Sequence, residues 1–138
     1  MTFSFDDEIS IRQRLGKKTP TKTGYFVVAW EKSIDTNKNI PYSYDSSPDL
    51  FIVNIIDQNK CGAFFFPRSV LEKHQILSSS HSLGKMGFRV YPPWCGELNN
   101  QAIKTQQWQT DFFVTLPLVY HDDLDQEEMN KIKQLCSI

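Results

Sequence analysis

Leu50-Phe51-Ile52-Val53-Asn54-Ile55-Ile56 is nearly continuously apolar and rich in β-branched residues. Such a run fits a central strand covered on both faces, because a half-buried strand would alternate with polar residues. Asp49 stands at its entrance. Downstream, Asp57 to Gly62 supplies turn residues and leads into Ala63-Phe64-Phe65-Phe66, which predicts a hairpin. Upstream, Ile9-Ser10-Ile11-Arg12-Gln13-Arg14-Leu15 alternates as a half-buried strand does, with its arginines turned to solvent, and Gly16 ends it. Tyr25 to Trp30 is a further strand by its aromatic and β-branched content. The polar stretch from Ser33 to Pro48 reads as a long loop, tacked down by Tyr42 and Tyr44.

Beyond the hairpin, Pro67 suits the first turn of a helix, and Val70, Leu71, His74 and Leu77 recur at helical spacing over 68–77. The serine-rich Ser78 to Ser82 is a loop before the strand Phe88-Arg89-Val90-Tyr91, which stops at Pro92-Pro93. Asn99 or Asn100 caps a helix running to about Phe113. Ala102 and Gln109 fall on one side of it, and Gln101, Lys104 and Trp108 on another. Phe113 to Leu116 adds a strand, and Asp123 caps an acidic C-terminal helix at about 122–136 with Leu124, Met129, Ile132 and Leu135 as its apolar stripe. The expected architecture is one α/β domain of the α+β kind over 1–138, a central mixed sheet flanked by helices.

A chain of 138 residues buries roughly two-thirds of the surface its unfolded form exposes, enough to fold without metal or disulfide. Cys61, Cys95 and Cys136 are widely spaced and lack a CxxC pair, so they read as free thiols of a reducing compartment. No apolar run approaches the ~18 residues of a membrane span, and Met1 to Glu8 is acidic, unlike a signal peptide. The expectation is a cytoplasmic protein with no membrane partner. Net charge is −1, which argues against strong non-specific nucleic-acid binding, yet its distribution is uneven. Arg12, Arg14, Lys17, Lys18 and Lys22 form a basic block, and Asp122 to Glu128 an acidic one.

Phosphate-cradling glycine loops, serine nucleophile elbows and HExxH are absent. His74, His81 and His121 lie singly in unlike contexts and read as ordinary polar histidines. Lys17, Lys18 and Lys22 around Thr19-Pro20-Thr21 offer ammonium groups on a proline-stiffened turn, a surface feature that also binds phosphate. Lys85 and Arg89 flank the start of a strand, where an Arg fork either grips a phosphate or serves an internal carboxylate such as Asp49. Lys104 and Trp108, four residues apart on one helix face, meet each other or jointly meet a nucleotide, with Trp108 as core the competing reading.

Several words then appear in order: Thr19-Pro20-Thr21-Lys22-Thr23-Gly24-Tyr25-Phe26-Val27, Trp30-Glu31-Lys32, Ser47-Pro48-Asp49-Leu50, and Gly62-Ala63-Phe64-Phe65-Phe66-Pro67-Arg68. Gly84-Lys85, Phe88 to Trp94 and Gln101 to Gln109 follow. Over about Ile9 to Phe113 the chain resembles the MepB-like proteins of bacteria. That resemblance implies a restriction-endonuclease-like fold whose sheet meets DNA or RNA, with Lys22, Lys85, Arg89 and Lys104 on phosphates and Trp94 or Trp108 stacked on bases. It also makes Asp49 the metal-binding Asp of a Mg²⁺-dependent nuclease, with Ala63 where relatives often carry Gln and Arg68 where they carry Lys. Relatives usually have more chain before the Thr-Pro-Thr-Lys word; here Glu8 is the glutamate available in that region. With no acid on the second strand, gripping nucleic acid is expected over cutting it. The alternatives are a nuclease centred on Asp49, or a non-catalytic module for a small anionic aromatic ligand or a protein.

Overall fold

The computed structural model describes residues 2–5 and 9–116, together with 131 and 134. Apart from residues 131 and 134, the acidic C-terminal helix expected at 122–136 lies outside the described residues, as does Glu8. Two strands open the chain, β1 (Thr2–Phe5) and β2 (Ile9–Leu15), then β3 (Lys17–Lys18), β4 (Tyr25–Val28), β5 (Trp30–Lys32) and β6 (Asn39–Pro41). The central hairpin is β7 (Leu50–Asp57) and β8 (Lys60–Pro67), followed by helix α1 (Arg68–Lys73), strand β9 (Gly87–Val90), helix α2 (Asn100–Gln109), a 3₁₀ turn (Thr110–Phe112) and β10 (Phe113–Thr115).

Five strands form one sheet in the order β1-β2-β7-β8-β10. β2 runs parallel to β7 and every other pair is antiparallel, so the sheet is mixed and the fold is α+β. The unbroken apolar run of β7 has its cause here, since both faces of the strand are buried. Phe51, Val53 and Ile55 face a cluster with Phe64, Phe66 and Phe113, while Leu50 and Ile52 join Ile11, Ala63, Phe65 and Val114 on the other face. Phe64 and Phe66 stack at 5.2 Å between ring centroids. Each such buried ring contributes about 1.5–3 kcal/mol by its removal from water.

A second sheet, β3-β4-β9, packs its inner residues Tyr25, Val27, Phe88 and Val90 onto the first cluster. Its outward residues therefore come from the alternate positions: Lys17, Phe26 and Val28, and Gly87 and Arg89. This second layer also corrects the expectation that both arginines of β2 face water. Arg12 is 9% exposed, with its guanidinium 3.7 Å from the Tyr42 ring centroid, and Arg14 donates to the Tyr42 hydroxyl. Alternation places both on the face that carries Phe51 and Val53, which the rest of the fold covers.

Several element boundaries differ from the sequence reading, among them the end of α2 at Gln109 instead of about Phe113. The long polar loop holds β6, which pairs with β5 to make a small separate hairpin, and Ala29 separates β5 from β4 by donating to Met86 across the second sheet. α1 stops at Lys73 instead of Leu77 because Gln75 takes a left-handed φ of 61°, which turns Ile76 and Leu77 into the core. β8 begins at Lys60, directly after the tight turn at Gln58 and Asn59, where Gln58 has φ 56°.

Candidate nucleic-acid interface

Between β9 and α2 runs a groove of about 350 Å³. Residues 85, 87, 89 and 91 alternate outward along and beyond β9 and form one wall; Gln101, Thr105 and Trp108 of α2 form the other. Lys85 and Arg89 are its cations, and none of the described residues lining it is a carboxylate. A second depression adjoins it, sharing Arg89, Tyr91, Asn99 and Ala102 and adding Lys22, Thr23 and Glu97.

Arg89 is held in place by the Thr-Pro-Thr-Lys loop. One guanidinium nitrogen donates to Thr19 Oγ1 at 2.6 Å and another to the Thr23 carbonyl at 3.2 Å. Neither partner is charged, so the positive charge is left for an external anion. The internal partner weighed for it, Asp49, is engaged elsewhere: Ser10 donates its N–H (3.1 Å) and hydroxyl (3.3 Å) to Asp49 Oδ2, and Asp49 N–H donates back to Ser10 Oγ at 3.1 Å. That reciprocal clasp fixes the entrance of the parallel pair β2–β7.

α2 is joined to β9 by amides. Gln109, fully buried, donates to the Arg89 carbonyl and accepts from the Tyr91 N–H, both at 2.9 Å, so one side chain replaces a neighbouring strand at the open edge of β9. Gln106 donates to the carbonyls of Pro92 and Cys95. Asn99 caps the helix by accepting from Ala102 N–H at 2.8 Å. These contacts account for Gln106 and Gln109 in the Gln101 to Gln109 word.

Trp108 is half-buried in the groove wall, with one face stacked on His74 at 3.8 Å and 6°. Burial and the charges of Lys73 and Lys85 push the His74 pKa down, so the imidazole is neutral at pH 7. Trp94 lines neither depression. Its Nε1 donates to the Tyr25 hydroxyl at 3.0 Å, and its ring meets Tyr25 and Phe113 edge-on. Tyr25 in turn donates to Asp57 at 2.6 Å, and Lys18 lies 3.4 Å from the same carboxylate. Lys104 is exposed on α2 and is not among the residues lining the groove, while Lys22 is exposed at the second depression. Thus Lys85, Arg89, Trp108 and Lys22 come together on one side, whereas Asp49, Trp94 and Lys104 do not join them.

Sequence reasoning missed His74, Gln109 and Phe26 as parts of this side. Phe26 left one visible signal, an aromatic at a position where strand alternation calls for a polar residue.

The residues around Asp49 do not fit a Mg²⁺ site. The Asp49 carboxylate is taken up by Ser10, and the group next to it on the hairpin side is Arg68 at the start of α1, a cation 4.6 Å from the Tyr44 ring where a metal ion wants oxygens; Ala63 lies opposite Asn54, well along the hairpin from Asp49. Cys61 and Cys95 are free, and burial pushes both thiols up, as expected of inert cysteines. No helix among the described residues is long and apolar enough to cross a membrane.

Comparison with known proteins gives a consistent result. The family model described as MepB-like matches residues 1–115. A solved structure, "Crystal Structure of MepB", superposes with a TM-score of 0.79 at 43% sequence identity, covering 88% of this chain and 78% of that one. A search of curated proteins finds no match. With the matched segment containing both sheets, the groove and the Arg89 clasp, the chain belongs to the MepB-like family.

Proposed function

We propose that the protein binds nucleic acid through its phosphates along the groove between β9 and α2. The observation that carries this is Arg89, oriented by two uncharged partners beside Lys85 in a groove whose described lining holds no carboxylate. A guanidinium fork matches phosphate oxygens, and Lys85 adds a mobile point charge at the rim. Lys22 extends the same positive side, while Gln101, Thr105 and Trp108 supply hydrogen bonds and a flat ring. Since the whole chain carries a net charge of only −1, attraction must come from this local arrangement.

A restriction-endonuclease-like architecture belongs to the same proposal. It is supported by family membership together with the mixed sheet and a hairpin that Asp49 immediately precedes. Cleavage is not included, because the donor set at Asp49 suits a structural clasp better than a metal. The groove volume and the His74–Trp108 stack also favour a second reading, a small anionic aromatic ligand in the same place.

Fluorescence anisotropy with labelled DNA and RNA over a salt series tests the reading. Affinity is expected to fall steeply with salt, because each neutralised phosphate releases counterions. Lys85→Ala with Arg89→Ala should weaken binding for all sequences and reduce the salt slope by about 1 for each phosphate no longer neutralised. Absence of binding at low salt, or an affinity untouched by the double variant, would sink it. A melting temperature raised by mononucleotides but not by oligonucleotides would favour the small-ligand reading instead.

A further inference from the structure

Phe26 is 38% exposed, while its neighbours Tyr25 and Val27 are buried on the inner face of the same strand. A lone exposed ring is commonplace, but the surroundings of this one are ordered around it. Its cross-strand partners are Lys17 on β3 and Arg89 on β9. The Arg89 guanidinium lies 6.0 Å from the ring centroid. The tip of the ring lies across Gly87, so near that a Cβ there would come within 2.2 Å of it. Glycine therefore lets the ring recline over the backbone of β9 instead of standing away from the sheet.

Gly87 and Arg89 are at once neighbours of this ring and part of the groove wall, so the aromatic and the phosphate-binding groups form one continuous surface. Aromatic and basic side chains interleaved on an open sheet face take bases on the ring and phosphates on the cations. A duplex keeps its base faces inside its own stack; a single strand presents them. The charge on this face is complementary to such a strand: Lys17, Lys22, Lys85 and Arg89 against Glu97, the one carboxylate among the described residues lining either depression.

We propose that the occupant of this face is single-stranded nucleic acid, with one base stacked on Phe26 and adjacent phosphates taken by Lys17 and Arg89. The inference rests on the phosphate-binding reading and adds strandedness and the stacking residue to it.

The test compares a labelled single strand, a blunt hairpin duplex of the same sequence and a base-free sugar-phosphate strand, in DNA and RNA forms. Wild type should bind the single strand most tightly. Phe26→Ala should weaken that binding about 5- to 150-fold, the equivalent of one stacked base, and leave the base-free strand unchanged. Phe26→Trp should retain the affinity, which separates stacking from damage to the sheet, and melting curves verify that both variants fold. Equal binding of duplex and single strand, or loss of affinity in Phe26→Trp and Phe26→Ala alike, would overturn the proposal. If folded Phe26→Ala binds as wild type while Lys85→Ala with Arg89→Ala does not, stacking fails and phosphate binding stands. Failure of wild type to bind any strand at low salt removes both.

Discussion

The Tyr25 hydroxyl accepts from Trp94 and donates to Asp57, tying three distant parts of the chain through one oxygen. Burial and the hydrogen bond to Asp57 push its pKa up to about 12, and the same bond, helped by Lys18, holds the Asp57 carboxyl below its ordinary range. A phenol whose folded pKa lies above its unfolded value stabilises the fold fully below pH 10 and loses that contribution as pH rises toward 12. Tyr25→Phe should therefore cost about 1–3 kcal/mol at neutral pH and flatten the alkaline limb of stability between pH 10 and 12, as measured by urea denaturation. Trp94 illustrates why single residues mislead in a sequence. Beside Pro92-Pro93 and a basic strand it reads as a stacking residue, yet its partner lies 69 positions away and turns it inward. Arg12 misleads for the same reason, since alternation gives its face but not which face the second sheet covers.

Among the elements, α2 shows what a pattern can and cannot carry. Its start was legible because Asn99 has a local capping partner, although the helix expected to run to about Phe113 stops at Gln109 and gives way to a 3₁₀ turn. The role of Gln109 was not, since an amide that mimics a strand has no periodic signature. Gln109→Leu removes a donor and an acceptor together and strands the Arg89 carbonyl and Tyr91 N–H inside the protein. The expected cost is about 2–4 kcal/mol in denaturant unfolding, from two buried groups left unpaired. Phosphate affinity should fall as well, though Gln109 is buried away from any ligand, because Arg89 would lose the brace behind its own backbone. The end of α1 was hidden differently. A left-handed Gln75 leaves no trace in the sequence, as glycine would have done.

For the molecule as a whole, where one central sheet was expected and β3, β4 and β9 form a second, the central hairpin, α1, α2 and the strands β4 and β9 could be foreseen, because long apolar runs and capping residues act locally. The stacking of two sheets could not, since it depends on pairings far apart in the chain. The same assembly sets a molecular pH response. His74, its pKa lowered by burial and by Lys73 and Lys85, charges at a cost, so its contribution to stability is lost as pH falls below about 6.5. A phosphate in the groove offsets those cations and raises the same pKa. Binding should then take up a proton, with affinity rising between pH 7.5 and pH 5.5; calorimetry in buffers of different ionisation enthalpy would detect it, and His74→Gln should abolish it.

The parallel pair β2–β7 has a consequence for how the chain assembles. Its strands are joined by everything from Gly16 to Asp49, which includes β3, β4 and the Thr-Pro-Thr-Lys loop, whereas β7 and β8 meet across a tight local turn. Closing the long crossover costs entropy that its contacts repay only once made, so the hairpin is the natural nucleus and the crossover its late addition. β9, which completes the outer face, comes later still in the chain and docks on β4. The face proposed to meet nucleic acid is thus expected to assemble after the central hairpin, so that a partly folded chain would present its aromatic core before it could grip a phosphate.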